Sequence, residues 1–413
     1  MRTHRAICGW VALTLVSPAL TSAASADARP PSGVVFEGAY SADVMSVIRG
    51  GLKRGTVFRG LAEAAMQADL AVAVGAPAGS VFRISALAPH GGDLSGAYLG
   101  DLQGASNIAA YNHPLLYELW LAGKLANGLV DLRVGRLVAD SEFATTESGG
   151  IFLNSSFGWP AFISANTRNT GPAFDRSALG VFAHTALTEN VHLQAGLYDG
   201  DSFDDAGGDP SLYPDGLHFE LGHGQGIFAL GEIILETTSG PAGASRRGAF
   251  KLGAWHHTAD FADQFDPRRN HAGNYGAYAV VEQMVWRETG PAFEVPQGLT
   301  AFARTGFSPG DRSQFTQTAD AGLSYAGLLP GRDADRLGLG VACARVGGNT
   351  RRAERAAGSV VISDYELVVE FSYEIAGGER WRLVPDLQWI RHPGGSRSLG
   401  DALVFGLRTR LSF

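Results

Sequence analysis

Residues 403–413 alternate so strictly that they leave few folds open. Leu403, Phe405, Leu407, Thr409, Leu411 and Phe413 share one parity, and Val404, Gly406, Arg408, Arg410 and Ser412 share the other. A β-strand sends successive side chains to opposite faces, so the segment predicts a strand with one apolar face and one face carrying two arginines. The apolar face needs a partner, either a second sheet in a secreted β-sandwich or the hydrocarbon of a bilayer. The strand runs to an aromatic final residue, Phe413, and this favours the closing strand of a membrane barrel, with lipid outside and water inside.

Composition agrees with a barrel. Fifty-five of the 413 residues are glycine, roughly twice the usual share of about 7%, which suits turns and crowded walls and disfavours long helices. Mean hydropathy is only +0.01. A helical membrane protein would be more apolar, whereas a transmembrane barrel turns only alternate residues to lipid. At the start, Arg2, His4 and Arg5 precede an apolar run over 6–20 and the small residues Ala24, Ser25 and Ala26, the pattern of a cleaved secretory signal over 1–26. The run is too short for a membrane-spanning helix and is broken by Pro18. Loss of Arg2 and Arg5 takes the net charge from −8 to −10, an acidic balance that argues against nucleic acid as a partner. Cys343 is then the only cysteine, which excludes an internal disulfide and a Cys-based zinc site.

The mature chain, 27–413, reads as one domain of successive hairpins. Over 178–198, Leu179, Val181, Ala183 and Thr185 alternate with Gly180, Phe182 and His184; Glu189 and Asn190 turn the chain; Leu193 and Leu197 then alternate with His192, Gln194 and Tyr198. The following 199–216 is rich in Asp, Gly and Pro. Short turns at one end and long polar loops at the other are the pattern of outer-membrane barrels. Near the end, Tyr365, Leu367, Val369, Phe371 and Tyr373 oppose Glu366, Glu370 and Glu374, and the return strand sets Trp381, Leu383, Leu387 and Trp389 against Arg382, Asp386 and Gln388. Both signs of charge are therefore expected on the lumen wall, with aromatics at the membrane interfaces. Further strands are predicted over 34–47, 56–74, 81–87, 116–125, 130–138, 227–236, 249–257, 275–287, 298–307, 319–328 and 336–346. The fold class is all-β, a transmembrane antiparallel β-barrel of the outer-membrane type.

The segment Val384-Pro385-Asp386-Leu387-Gln388-Trp389-Ile390-Arg391-His392-Pro393-Gly394-Gly395 resembles the most distinctive motif of the carbohydrate-selective porins of the OprB family. Gly100-Asp101-Leu102-Gln103-Gly104, Leu116-Tyr117-Glu118-Leu119-Trp120, Arg133-Val134-Gly135-Arg136, Phe152-Leu153-Asn154-Ser155-Ser156-Phe157-Gly158-Trp159-Pro160 and Ser308-Pro309-Gly310-Asp311-Arg312 follow in that family's order. The resemblance implies a barrel of 16 strands that lets sugars diffuse across the bacterial outer membrane. Its implied partners are mono- or oligosaccharides, outer-membrane lipid and, through Phe413, the barrel-assembly machinery. An Asp-Trp-Gly-Gly type segment common near the family's mature start is missing, which leaves an N-terminal plug open. Two alternatives remain at this point: a channel for other small polar solutes, and a secreted carbohydrate-binding β protein.

The segment 139–171 is long for a connection inside a compact domain, and such loops are usually functional. Phe143, Ile151, Phe152, Phe157, Trp159, Phe162 and Ile163 give it an apolar side that water would not favour. It is expected to fold into the lumen and narrow it. The expected pore-lining set is Arg133, Arg136, Glu142, Asn154 and Trp159 from this region, with Glu366, Glu370, Arg382 and Asp386 from the wall; arginine forks and carboxylates exchange hydrogen bonds readily with sugar hydroxyls. Enzyme signals are weak. His256 and His257, near Asp260, take opposite faces of a strand, and 222–226 lacks the helix that a phosphate loop requires. No Gly-x-Ser-x-Gly elbow occurs. No catalytic residue, metal or cofactor is expected. On parity alone, Leu407→Arg should disturb the barrel more than Arg408→Leu.

Overall fold

Sixteen strands carry the alternation, and the sheet they form closes on itself. The computed structural model describes residues 32–203, 211, 213–222, 224–240, 245–288, 296–359 and 362–413. The expected signal, 1–26, and 204–210 and 212 of the loop after Tyr198 lie outside the described residues. The strands are β1 (Val34–Arg49), β2 (Gly55–Asp69), β3 (Val81–Gly91), β4 (Leu115–Leu125), β5 (Val130–Leu137), β6 (Ala178–Ala186), β7 (Val191–Asp199), β8 (Ile227–Ser239), β9 (Arg246–Ala262), β10 (Asn270–Arg287), β11 (Gly298–Phe307), β12 (Phe315–Ala326), β13 (Arg336–Val346), β14 (Tyr365–Gly377), β15 (Trp381–Arg391) and β16 (Ala402–Ser412). Each pairs antiparallel with its chain neighbours, and β16 closes the ring on β1 from Ala39↔Ser412 to Arg49↔Leu403. Closure removes the edges that an open sheet would leave unpaired in hydrocarbon.

The outward parity is apolar and exposed: Leu121, Val134, Leu197, Phe250, Leu252, Phe371, Leu387 and Phe405 all point away from the barrel. Trp286, Phe307, Trp381 and Trp389 sit near strand ends on the same exterior. This surface replaces the sandwich alternative, in which those residues would be covered by a second sheet. Short turns at 126–129, 187–190 and 378–380 share the end that holds the start of β1 and Phe413, while the connections 92–114 and 138–177 and the described residues between β7 and β8 occupy the other end. One predicted strand ends early. Residues 70–74 continue β2 as a short helix, because the Asp69 carboxylate accepts the amides of Ala71 at 3.1 Å and Val72 at 3.4 Å and so caps a helical turn.

The apolar core lies inside the barrel, between the wall and the loops folded into it. Ile151, Phe152 and Phe157 pack with Phe302, Met45 and Val368, while Phe143, Phe162 and Ile163 pack with Phe182, Phe228, Trp255 and Tyr278. Two wall glycines make room for this. A Cβ on Gly306 would meet the Phe162 ring at 2.2 Å, and one on Gly340 would meet Phe157 at 2.7 Å.

The closing strand revises one expectation drawn from parity. Arg408 faces inward as predicted, but its guanidinium donates to both oxygens of Asp43, at 2.7 and 2.8 Å, and to Asn107 at 2.7 Å. Asp43 is fully buried. Removing one partner of a buried pair costs about 3–5 kcal/mol, and an arginine on the lipid face costs about 2–4 kcal/mol at the bilayer midplane. Arg408→Leu is therefore expected to harm assembly at least as much as Leu407→Arg, as read by the fraction of purified protein that shifts on a gel after boiling. Arg408→Leu with Asp43→Leu should recover part of the loss, and no recovery would show that the pair is not the cause.

Candidate functional site

The backbone of the loop 138–177 crosses the barrel interior, and a buried backbone must find partners for its amides and carbonyls. Charged side chains of the wall supply them. Glu232 on β8 accepts the Ala144 amide at 2.9 Å, and Lys251 on β9 donates to the Thr145 carbonyl at 2.9 Å. Glu282 on β10 accepts the amides of Glu147 at 3.0 Å and Ser148 at 2.7 Å, and also the Ser148 hydroxyl. Glu370 on β14 accepts Leu153 at 2.5 Å and Asn154 at 3.1 Å. A second inward segment is held in the same way: Glu366 accepts the amides of Leu102, Gln103 and Gly394 at 2.8, 2.9 and 2.8 Å.

On the inward face of β1–β5 and β16, the wall presents linked arginines and carboxylates. Arg83 reaches Glu37 and Glu118, each at 3.3 Å, and the Trp120 indole N–H donates to Glu118 at 3.1 Å. The Arg133 guanidinium lies 5.3 Å from the Trp120 ring centre and 5.2 Å from that of Phe182. It binds the Glu142 carboxylate at 2.5 Å, and Gln194 ties the Glu142 carbonyl, at 2.6 Å, to Glu232, at 2.8 Å. Arg410 pairs with Glu63 at 2.9 Å and donates to Ser41 at 3.0 Å. Each fork has at least one carboxylate partner, which fixes its orientation. Two aromatic faces hold Arg133 while a third of its side chain remains exposed. An arginine has five N–H donors, and those not engaged by its carboxylate are available to a solute.

The nine residues singled out from the sequence fall into different settings. Arg133 is part-exposed and Glu142, although buried, carries its fork. Arg136 is buried at the base of the loop, donating to Ser177 Oγ at 3.1 Å and to the carbonyls of Ser177 at 2.7 Å and His218 at 2.5 Å. Asn154, Glu366, Glu370 and Asp386 face inward but are buried behind the loops. There they act as anchors and not as open wall: Asp386 receives Ser372 at 2.7 Å and Gln388 at 3.0 Å. Trp159 spends its indole N–H on the Thr170 carbonyl at 2.8 Å, within the loop. Arg382 lies beside the 378–380 turn, 3.7 Å from Glu374, at the barrel end away from the inward loop. Sequence reading missed Arg83, Glu118 and Trp120 on the wall beside Arg133, and Arg304, Glu232 and Glu282 behind the loop. Their inward parity was a usable signal, since Arg304 lies directly across from Asp320.

Comparison with known proteins decides the family. The carbohydrate-selective porin, OprB family, matches residues 59–413. The chain belongs to that family. Porin B of Pseudomonas aeruginosa is 24% identical over 328 residues, covering 72% of this chain and 68% of that protein. The putative porin QuiX of Acinetobacter baylyi is 26% identical over 180 residues, 40% of each chain. The high-pH structure of Pseudomonas putida OprB has the same fold, with a TM-score of 0.80 at 20% identity over 92% of this chain and 94% of that one. This OprB-family porin is an outer-membrane, carbohydrate-selective diffusion channel and not an enzyme.

In the porin, the inward segment 92–114 carries a pH-sensitive group. Both carboxylate oxygens of Asp101 are closed off from solvent, and the Ser95 hydroxyl and the amides of Asp101 and Ala105 offset that burial only in part. Burial, reinforced by the nearby Asp93 charge, pushes its carboxyl up to about 6. A raised carboxyl favours the folded state only while it is protonated, so that contribution is present below the ordinary carboxylate range and is lost as pH rises through about 6. Asp101→Asn is therefore expected to raise the heat-shift midpoint at about pH 7.5 and leave it unchanged at about pH 4. An equal gain at both pH values would assign the effect to packing.

Proposed function

We propose that neutral mono- and short oligosaccharides cross this porin along the arginine–carboxylate face centred on Arg133, beside the loop 139–171, which narrows the lumen. The observation that carries this reading is the held guanidinium: Arg133, fixed between Trp120 and Phe182 and paired with Glu142, keeps a third of its side chain open. Hydrogen bonds with such a face replace those a sugar gives up to water, and each is weak enough to release the solute again. Arg83 with Glu118, and Arg410 with Glu63, continue alternating donors and acceptors along the wall. In this reading outer-membrane lipid covers the exposed apolar belt, and Phe413, 83% exposed beside β1, is the contact for the barrel-assembly machinery. Liposome flux of a sugar series against amino acids and organic acids of similar size tests the solute class. Equal size-normalised rates for all classes would replace it with an unselective polar channel.

A further inference from the structure

We infer that Arg304 is a positioning residue that latches the constriction loop against the wall and so keeps the pore open. Arg304 projects inward from β11, and its side chain has no exposed surface. Its Nε donates to Asp320 at 2.8 Å, Nη1 to the carbonyls of Ala144 at 2.8 Å and Gly158 at 2.9 Å, and Nη2 to the carbonyl of Ser156 at 2.7 Å. Four acceptors therefore share one planar fork. Glu232, Lys251 and Glu282 hold the arm at 144–148, and Glu370 holds the arm at 153–154. Arg304 holds both arms, at 144 and at 156–158, to one point on the wall.

Chemistry explains why this position takes an arginine. Three carbonyls converging on a buried point require a group that donates in several coplanar directions and keeps its charge, and a lysine ammonium offers neither the reach nor the plane. Asp320, directly across on β12, neutralises the cation and fixes the guanidinium plane through Nε. Releasing the fork frees three backbone carbonyls on the lumen side of the wall. A loop that is present but unlatched can swing only toward the open lumen, so loss of the latch closes the pore intermittently, whereas deletion of the loop would widen it.

The inference rests on 139–171 being the constriction, and potassium chloride current reads it without any sugar, so its failure is separable from failure of the sugar-diffusion reading. Arg304→Lys keeps the charge and removes the fork. It is expected to assemble as a heat-shifting barrel, with several-fold more open-channel noise and closure at lower voltage than wild type. Asp320→Asn keeps all three carbonyl bonds and an oxygen to receive Nε, so it should disturb closure clearly less than Arg304→Lys. In a barrel whose crest, 144–158, is replaced by a short Gly-Ser link, Arg304→Lys should change nothing further, since the three carbonyls that the latch holds are then gone. Wild-type noise and closing voltage in Arg304→Lys, a steadily larger pore, equal effects of Asp320→Asn, or an undiminished effect without the crest each overturn the latch. Failure of Arg304→Lys to assemble overturns it too, because Arg304 would then serve the barrel and not its gate.

Discussion

Arg133→Ala and Arg136→Ala are expected to behave as different kinds of variant, although the two residues sit three apart in one strand. Arg133→Ala removes a part-exposed fork from the lumen face and should raise single-channel conductance, lower anion preference and weaken sugar block of the current. It leaves the buried Glu142 carboxylate without its cation, so Arg133→Ala with Glu142→Gln is the cleaner form of the test. Arg136→Ala instead strips donors from the Ser177 and His218 carbonyls and the Ser177 hydroxyl. Each buried acceptor left without a donor costs about 1–3 kcal/mol. The expected result is a lower heat-shift midpoint and an unsteady current, with sugar block at low voltage nearly unchanged. Should Arg136→Ala weaken sugar block as much as Arg133→Ala in a barrel of normal stability, the separation of roles is wrong.

How far the sequence could have led follows from what alternation encodes. Parity is a property of neighbouring residues in one strand, so inward and outward faces were legible at Arg408, Gln194, Glu370 and Trp389, and the sixteen strands followed. What covers an inward residue depends on chain hundreds of positions away: Glu370 binds amides at 153–154, and Glu366 binds amides at 102–103. The same parity therefore placed Glu370 and Arg382 in one list, although one is buried behind the loop and the other lies beside a turn at the far end of the barrel. Depth along a tilted strand, and contact with a returning loop, leave no local trace. The helix at 70–74 was missed for a local reason, since Leu70–Val74 is apolar enough to read as strand and the capping carboxylate of Asp69 was not weighed.

The anchoring role of the wall carboxylates gives the second large effect, at Glu370. Its carboxylate accepts two successive amides, at 2.5 Å from Leu153 and 3.1 Å from Asn154, and the Ser372 hydroxyl at 3.1 Å. Glu370→Ala leaves two buried N–H groups without acceptors, at about 1–3 kcal/mol each. The effect should spread, because the Asn154 side chain donates to Gln388 at 3.2 Å and Gln388 in turn holds the Ala105 carbonyl at 2.9 Å. Two inward segments thus meet at one pair of wall residues. Glu370→Ala is expected to lower the heat-shift midpoint clearly and to make the channel flicker. Glu370→Gln should be milder, since it keeps one acceptor and the side-chain volume. Adding Gln388→Ala to Glu370→Ala should cost less than the sum of the two single changes, because residues within one hydrogen-bond network are not independent. Additive costs, or a Gln variant worse than the Ala variant, would mean that the carboxylate stabilises the barrel by its charge and not by receiving the loop.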